Sequence, residues 1–201
     1  MEKQLHTIIL ASTSPRRKEL LSSIGVSFSV VPSEYEEDMT LPLPPGKLTL
    51  HLAIHKALAV AKLHPDAIII AADTIISTET RVLGKAHTNE EAEQMILSLS
   101  GKTHNVLTGL AVVIPPRLTQ TKSQTVKTHV SRNKVTFKKL DKEEIAAYVS
   151  TGEPLGKAGA YAIQGKGAFF VEKIEGSYSG IVGLPIEALY MILRSYRIDV
   201  L

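Results

Sequence analysis

The sequence predicts a mixed α/β fold, a twisted sheet with flanking helices. Three observations carry that reading. Ala67 to Ile76 is a nearly unbroken apolar run, the mark of a central strand buried on both faces. Thr125 to Phe137 alternates well enough for a long, half-exposed strand. Between and around them lie helix-period segments that open on capping residues. Strands and helices are intermixed, and one stretch reads as a hairpin, so the pattern is not a clean βαβ repeat.

In chain order, Thr7 to Ala11 is a short buried strand. Ser14-Pro15 opens a helix as N-cap and first helical residue, Leu20, Leu21 and Ile24 form its stripe, and Gly25 closes it. Val26 to Val31 reads as a second strand and the proline-rich Leu41 to Gly46 as a loop. A helix follows from about Lys47 to Leu63 and stops near Pro65. After the apolar run, a polar turn at Thr78 to Arg81 leads into a strand at Val82-Leu83. Thr88 with Glu91, and Asp141 with Glu144, are capping-box patterns for helices ending at Gly101 and near Gly152. Asn105 to Ile114 is a strand, Pro115 to Ser123 a loop, and Ala168 to Ile174 strand-like; the last helix starts at Pro185. No repeat or linker divides the chain, which reads as one domain over residues 1–201, in two lobes around a cleft.

The composition narrows the chemistry. Of 201 residues, 44% are hydrophobic and 21% charged, as in ordinary globular chains. The absence of cysteine removes disulfides, thiolate metal sites and cysteine nucleophiles together. No segment is long and apolar enough to span a membrane, and the first apolar run is too short for a signal peptide, so the expected location is the cytoplasm. The net charge of +3 suits an anionic ligand. No basic run is interleaved with stacking residues, and a nucleic-acid platform is not expected. No HExxH pattern or Gly-x-Ser-x-Gly elbow occurs. His51 and His55 fall on the polar side of their helix and read as exposed.

Several residues stand out against these patterns. Ser12-Thr13-Ser14-Pro15-Arg16-Arg17 joins a strand to a helix whose first turn is basic where acidic residues are the rule. Such a turn is either simply solvated or seats an anion on the free N–H groups. Lys56 lies on the apolar side of its helix, with Leu48, Leu52, Val60 and Leu63, and must snorkel or meet an anion. Asp73 sits in the most apolar segment of the chain. A carboxylate there is costly unless paired, hydrogen-bonded or bound to metal, and metal ligation and activation of water are its natural roles. Lys85 follows Gly84 on the return of the hairpin, which would bring it towards Asp73. Glu34, Glu36, Glu37 and Asp38 form an acidic loop, solvated or supplying one ligand to a hard cation. Gly152 to Gly165 is glycine-rich and contains Gln164, whose amide can both donate and accept at the edge of a base.

Taken together, Leu10 to Leu21 (LASTSPRRKELL), Ala72-Asp73-Thr74, Leu99 to Thr108 (LSGKTHNVLT), Gly152 to Gly165 (GEPLGKAGAYAIQG) and Gly183-Leu184-Pro185 resemble the Maf family of nucleotide pyrophosphatases, in the family's order and over nearly the whole chain. The resemblance implies a fold like that of the inosine-triphosphate pyrophosphatases, usually as a homodimer. It also implies hydrolysis of a nucleoside triphosphate to the monophosphate and pyrophosphate with Mg²⁺ or Mn²⁺. By motif position Asp73 would be the catalytic acidic residue and, with Glu37, would hold the metal, while Ser12, Arg17, Lys56 and Lys85 would hold the phosphates. Arg16, Thr74 and Gln164 match the selectivity positions of the branch acting on dTTP and UTP rather than on 7-methyl-GTP. The chain departs from the family at Gly84-Lys85-Ala86, where a proline commonly follows the lysine, and in the histidine of His55-Lys56-Ala57. Maf proteins are also linked to septum formation and division arrest, so the alternative is a non-enzymatic nucleotide-binding regulator.

Overall fold

The computed structural model describes residues 6–79, 81–119 and 121–198. Its strands are β1 (Ile8–Leu10), β2 (Ser29–Val30), β3 (Ile68–Ser77), β4 (Val82–Leu83), β5 (Thr103–Ile114), β6 (Thr125–Phe137) and β7 (Val171–Glu175). The helices are α1 (Pro15–Ser23), α2 (Pro45–Leu63), α3 (Asn89–Leu99), α4 (Lys142–Val149), α5 (Tyr178–Val182) and α6 (Ile186–Ser195). The sheet order is β2-β1-β3-β5-β6-β7, with β4 paired to β3. β1 runs parallel to β2 and β3, while the β3–β4 and β6–β7 pairs are antiparallel. The sheet is therefore mixed and flanked by helices, as expected. The chain divides into two compact units, Met1–Asp73 with Thr108–Ser131 and Gly183–Leu201, and Thr74–Leu107 with Arg132–Val182.

In the first unit the two-residue period of the strands sorts side chains into two cores. Ile9, Ala11, Ile69, Ala71, Ala111 and Val113 face one way and pack against Ala53, Ala57, Val60 and Ala61 of α2. Ile8, Leu10, Ile68, Ile70, Ala72, Leu110, Val112 and Ile114 face the other way, against Leu21 of α1 and Leu189 and Leu193 of α6. Alanine-rich α2 comes down very close to the sheet. A Cβ on Gly109 of β5 would stand 2.5 Å from the Thr49 carbonyl oxygen and 2.7 Å from the Leu50 nitrogen, so only glycine fits beneath the helix.

The second unit has its own core, in which Ile96 and Leu99 of α3 and Ile145 and Val149 of α4 join Ile76, Val106, Val135 and Phe137 of the strands. Its helices are capped as their sequences suggest. Asp141 and Glu144 form the reciprocal box at α4. At α3, Thr88 accepts from the Glu91 N–H, but the Glu91 carboxylate reaches back to the His87 N–H. Within the same core His104, 2% exposed, bonds through Nε2 to the Tyr161 hydroxyl at 2.9 Å and sets its ring edge-on to Phe137. Burial pushes its pKa down from 6.5 to about 4. The unfolded chain, with a pKa near 6.5, therefore takes up this proton first. The stabilisation is full above that value and is lost as pH falls to about 4. At about 1.4 kcal/mol per pKa unit this amounts to about 3 kcal/mol. Urea midpoints measured across this range should fall with acid, and His104→Phe should flatten that slope; an unchanged slope would exclude His104 as its source.

Three segments differ from expectation. The second strand is only Ser29–Val30, not Val26 to Val31: Val26 turns into the apolar core beside α1, and the segment joins β1 only at its end. Residues 166–170 form a 3₁₀ turn rather than the start of a strand at Ala168. There the N–H groups of Lys166 and Gly167 go to the Glu153 carboxylate, which removes them from any sheet ladder. Leu63 is 70% exposed, because it lies at the last residue of α2, beyond the covered face.

Candidate active site

Asp73 falls on the α2 side of β3, two and four residues beyond Ala71 and Ile69. The residue of α2 that meets it is Lys56, one turn after Leu52 and one turn before Val60. The Lys56 ammonium donates to Asp73 Oδ1 at 2.5 Å and pairs with Glu37 Oε1 at 2.8 Å. Asp73 is 5% exposed and Lys56 9%. An unpaired charge at such depth would cost several kcal/mol, so each requires the other. Lys56 thus neither snorkels nor stands open: it bridges two carboxylates. Asp73 Oδ2, also buried, has no hydrogen-bond partner among the described residues.

The acidic loop contributes through Glu37. Asp38 instead closes its own turn, accepting from the Thr40 N–H and hydroxyl. The segment is tied to α2 by Tyr35, whose ring stacks on His55 at 5.2 Å and whose hydroxyl lies 3.4 Å from His51 Nε2. The rings of His51 and His55 are in contact, with centroids 4.2 Å apart. These histidines are half-buried, not exposed as the helix pattern suggested, because the loop before the helix folds back over them.

The basic turn of α1 is built as a second cluster of the same unit. No acidic residue lies in the first turn, and no side chain caps it. The Ser12 hydroxyl accepts from the Ser14 N–H and from Arg17 Nη1, and Arg17 Nε donates to the Gly183 carbonyl at 2.9 Å. Burial lowers the Arg17 pKa; Asp73 and Glu37 pull it up, and the like charge of Arg16 pushes it down. Ser12, Arg16, Arg17, Glu37, Lys56 and Asp73 therefore belong to one electrostatic cluster in the first unit. Three cations meet two carboxylates near the N-terminus of a helix, an arrangement suited to a polyanion.

The other three candidates lie in the second unit. Thr74 follows Asp73 on the opposite face of β3. Lys85 lies in Gly84-Lys85-Ala86, which pairs with the glycine-rich loop: Lys85 bridges to Ala158, and Gly156 and Gly159 donate to the carbonyls of Ala86 and Gly84. Gln164 belongs to the same loop, and its Oε1 is buried without a hydrogen-bond partner among the described residues.

Two contributors carried weaker signals. The Gly183 carbonyl that orients Arg17 is a backbone atom 166 positions away. Gly109 interrupts an apolar strand, the usual sign of close backbone approach, but nothing local says what approaches. Gly109→Ala should lift α2, and Lys56 with it. The expected cost is about 1–3 kcal/mol in stability from overpacking. Displacing the ammonium by about 1 Å should lower kcat/KM by about 10²-fold. Urea titration and steady-state kinetics check both, and wild-type values would show that the helix accommodates a methyl group without moving.

A family model described as Maf-like protein matches residues 7–196. The chain belongs to the Maf family. Among its Maf relatives, the dTTP/UTP pyrophosphatase of a Bacillus cereus strain is 48% identical over 196 residues, covering 98% of each chain. The dTTP/UTP pyrophosphatase of Bacillus anthracis has the same identity and coverage. Among solved structures, a HAM1 protein from Coxiella burnetii aligns with a TM-score of 0.47 and 14% identity, over 95% of this Maf chain and 100% of that one.

Proposed function

We infer that this Maf protein hydrolyses dTTP and UTP to the monophosphate and pyrophosphate. The observation that carries the reaction is Asp73, a carboxylate in a central strand with one oxygen held by Lys56 and the other buried without a hydrogen-bond partner among the described residues. The 48% identity to dTTP/UTP pyrophosphatases over 98% of the chain supports the substrate.

In this reading the triphosphate binds near the N-terminus of α1, against Ser12 and Arg17, with Lys85 as a further phosphate ligand. Arg17, fixed by Ser12 and Gly183, is preorganised for the charge that develops on the leaving pyrophosphate. Asp73 Oδ2 orients the attacking water and takes its proton. Lys56 holds Oδ1 and so fixes the plane of the carboxylate. Arg16, Thr74 and Gln164 select the pyrimidine nucleotide.

The residues also fit a divalent cation. Glu37 and Asp73 converge on one ammonium, and Asp73 keeps a buried oxygen with no hydrogen-bond partner among the described residues. No group of three or more His, Cys, Asp or Glu side chains among the described residues could form an all-protein cage. Mg²⁺-type sites use one or two carboxylates with substrate phosphates, and Mg²⁺ or Mn²⁺ on Glu37 and Asp73 would neutralise the triphosphate. A cytoplasmic location and homodimeric assembly belong to the same proposal; no described helix is long and apolar enough to cross a membrane.

The test is pyrophosphate release from dTTP, UTP and 7-methyl-GTP, with and without Mg²⁺ or Mn²⁺. Metal-dependent turnover of dTTP and UTP, with little on 7-methyl-GTP, is the expected result. No turnover of any nucleotide by folded protein would overturn the reading and leave a nucleotide-binding regulator.

A further inference from the structure

The loop after α4 contains glycines with positive φ at 152, 156, 159 and 165, and Ala160 at φ 60. Such a segment loses much conformational entropy on ordering and needs a clamp. The clamp is Glu153, near its start. Glu153 Oε1 accepts from the Tyr148 hydroxyl of α4 and from the Gly167 N–H, each at 3.0 Å, and Oε2 accepts from the Lys166 N–H at 3.0 Å. Lys157 donates to the Glu153 carbonyl. One side chain thus ties the loop's first turn, its last residues and the preceding helix together. A Cβ on Gly165, at φ 141, would stand 2.7 Å from Oε2, so the glycine is required by the clamp as well as by its backbone. Burial raises the Glu153 pKa, but the bonds from Lys166, Gly167 and Tyr148 and the Lys157 charge outweigh it, and the carboxyl stays below its usual range.

Two side chains assigned to substrate depend on this loop. Gln164 precedes Gly165 directly and presents a buried oxygen with no hydrogen-bond partner among the described residues. Lys85 lies on the segment to which the middle of the loop is hydrogen-bonded. The middle has those backbone bonds, whereas the Gln164 end is held by the Glu153 carboxylate.

We propose that Glu153 is a positioning residue for nucleotide selectivity, whose carboxylate clamps the 152–167 loop so that Gln164 is held in register to read the base. The proposal rests on the reading of Gln164 as the base-selecting side chain. Glu153→Gln keeps the shape but sets an NH₂ group against backbone N–H donors. Losing one charge-assisted bond predicts a KM for dTTP and UTP raised about tenfold. The kcat should stay within about twofold, since uniform binding is what is lost. The kcat/KM preference for UTP over 7-methyl-GTP should fall by about the same tenfold factor.

The experiment measures steady-state kinetics on dTTP, UTP and 7-methyl-GTP, with Tm, for Glu153→Gln, Tyr148→Phe, Gln164→Ala and Glu153→Gln/Gln164→Ala. Tyr148→Phe removes a single bond to the clamp and gives a milder reading should Glu153→Gln not fold. Lost preference in Glu153→Gln or Tyr148→Phe, with a double variant no less selective than Gln164→Ala alone, supports the proposal. If Gln164→Ala loses preference while the clamp variants lower kcat/KM equally for every nucleotide in step with Tm, Glu153 is a structural clamp only and the proposal falls. Unchanged preference in Gln164→Ala overturns the base-reading role of Gln164 itself, a separate failure.

Discussion

Asp73→Asn should lower dTTP and UTP turnover by about 10²–10⁴-fold while the protein remains folded. The amide has the same shape, and its oxygen can still accept from Lys56, which also keeps Glu37 at 2.8 Å. What changes is the second oxygen. Asp73 Oδ2 is a buried acceptor with no partner among the described residues, and the variant sets a donor there with no basicity. In the proposed mechanism, proton abstraction from water and divalent-cation binding would both be lost, whereas packing against α2 would not. Pyrophosphate release beside a urea titration separates these effects. Near-native turnover in a folded Asp73→Asn protein would remove Asp73 from the mechanism.

Lys56→Met should be the more damaging change to stability. Methionine matches the length of the buried stem but removes the charge shared by Asp73 and Glu37. Breaking a buried pair on one side costs about 3–5 kcal/mol, because the remaining charge stays buried. Glu37, with 29% side-chain exposure, recovers solvent and adds little, so most of the loss comes from Asp73. The double variant Lys56→Met/Asp73→Asn should regain part of the loss, since a neutral amide does not require the ammonium. Urea midpoints for the four proteins complete the cycle. A loss under about 1 kcal/mol in Lys56→Met, additive with Asp73→Asn, would mean that the two side chains are not coupled.

Together the two variants separate roles that one geometry combines. Lys56 balances charge and holds the carboxylate through Oδ1; in the proposed mechanism Asp73 would act through Oδ2. One is read mainly by stability and the other by turnover.

Much of this was legible in the sequence because it follows from local periodicity and from the cost of misplaced polarity. The apolar run around Asp73 predicted a central strand, and the same run made a charge inside it anomalous. Lys56 was marked by its side of a 3.6-residue repeat, and the basic first turn of α1 by its opposition to the helix dipole. Such anomalies show that a partner or ligand is needed but not which one. Where local rules misled, a long-range contact was responsible. Ala168 to Phe170 look extended, yet they lie in a 3₁₀ turn whose opening residues, Lys166 and Gly167, donate their N–H groups to the Glu153 carboxylate. His51 and His55 look solvated, yet Tyr35 covers them.

The sequence by itself determined the mixed α/β class, the buried carboxylate and the need to neutralise it, because residue order alone sets strand and helix periods and the cost of a charge in an apolar run. The tertiary structure alone decided that Lys56 is shared by Asp73 and Glu37, that Gly183 and Ser12 aim Arg17, that Gly109 sets the height of α2, and that Glu153 clamps the loop bearing Gln164. Those outcomes depend on which groups meet across tens of residues, and no local pattern encodes which partner satisfies a buried polar atom.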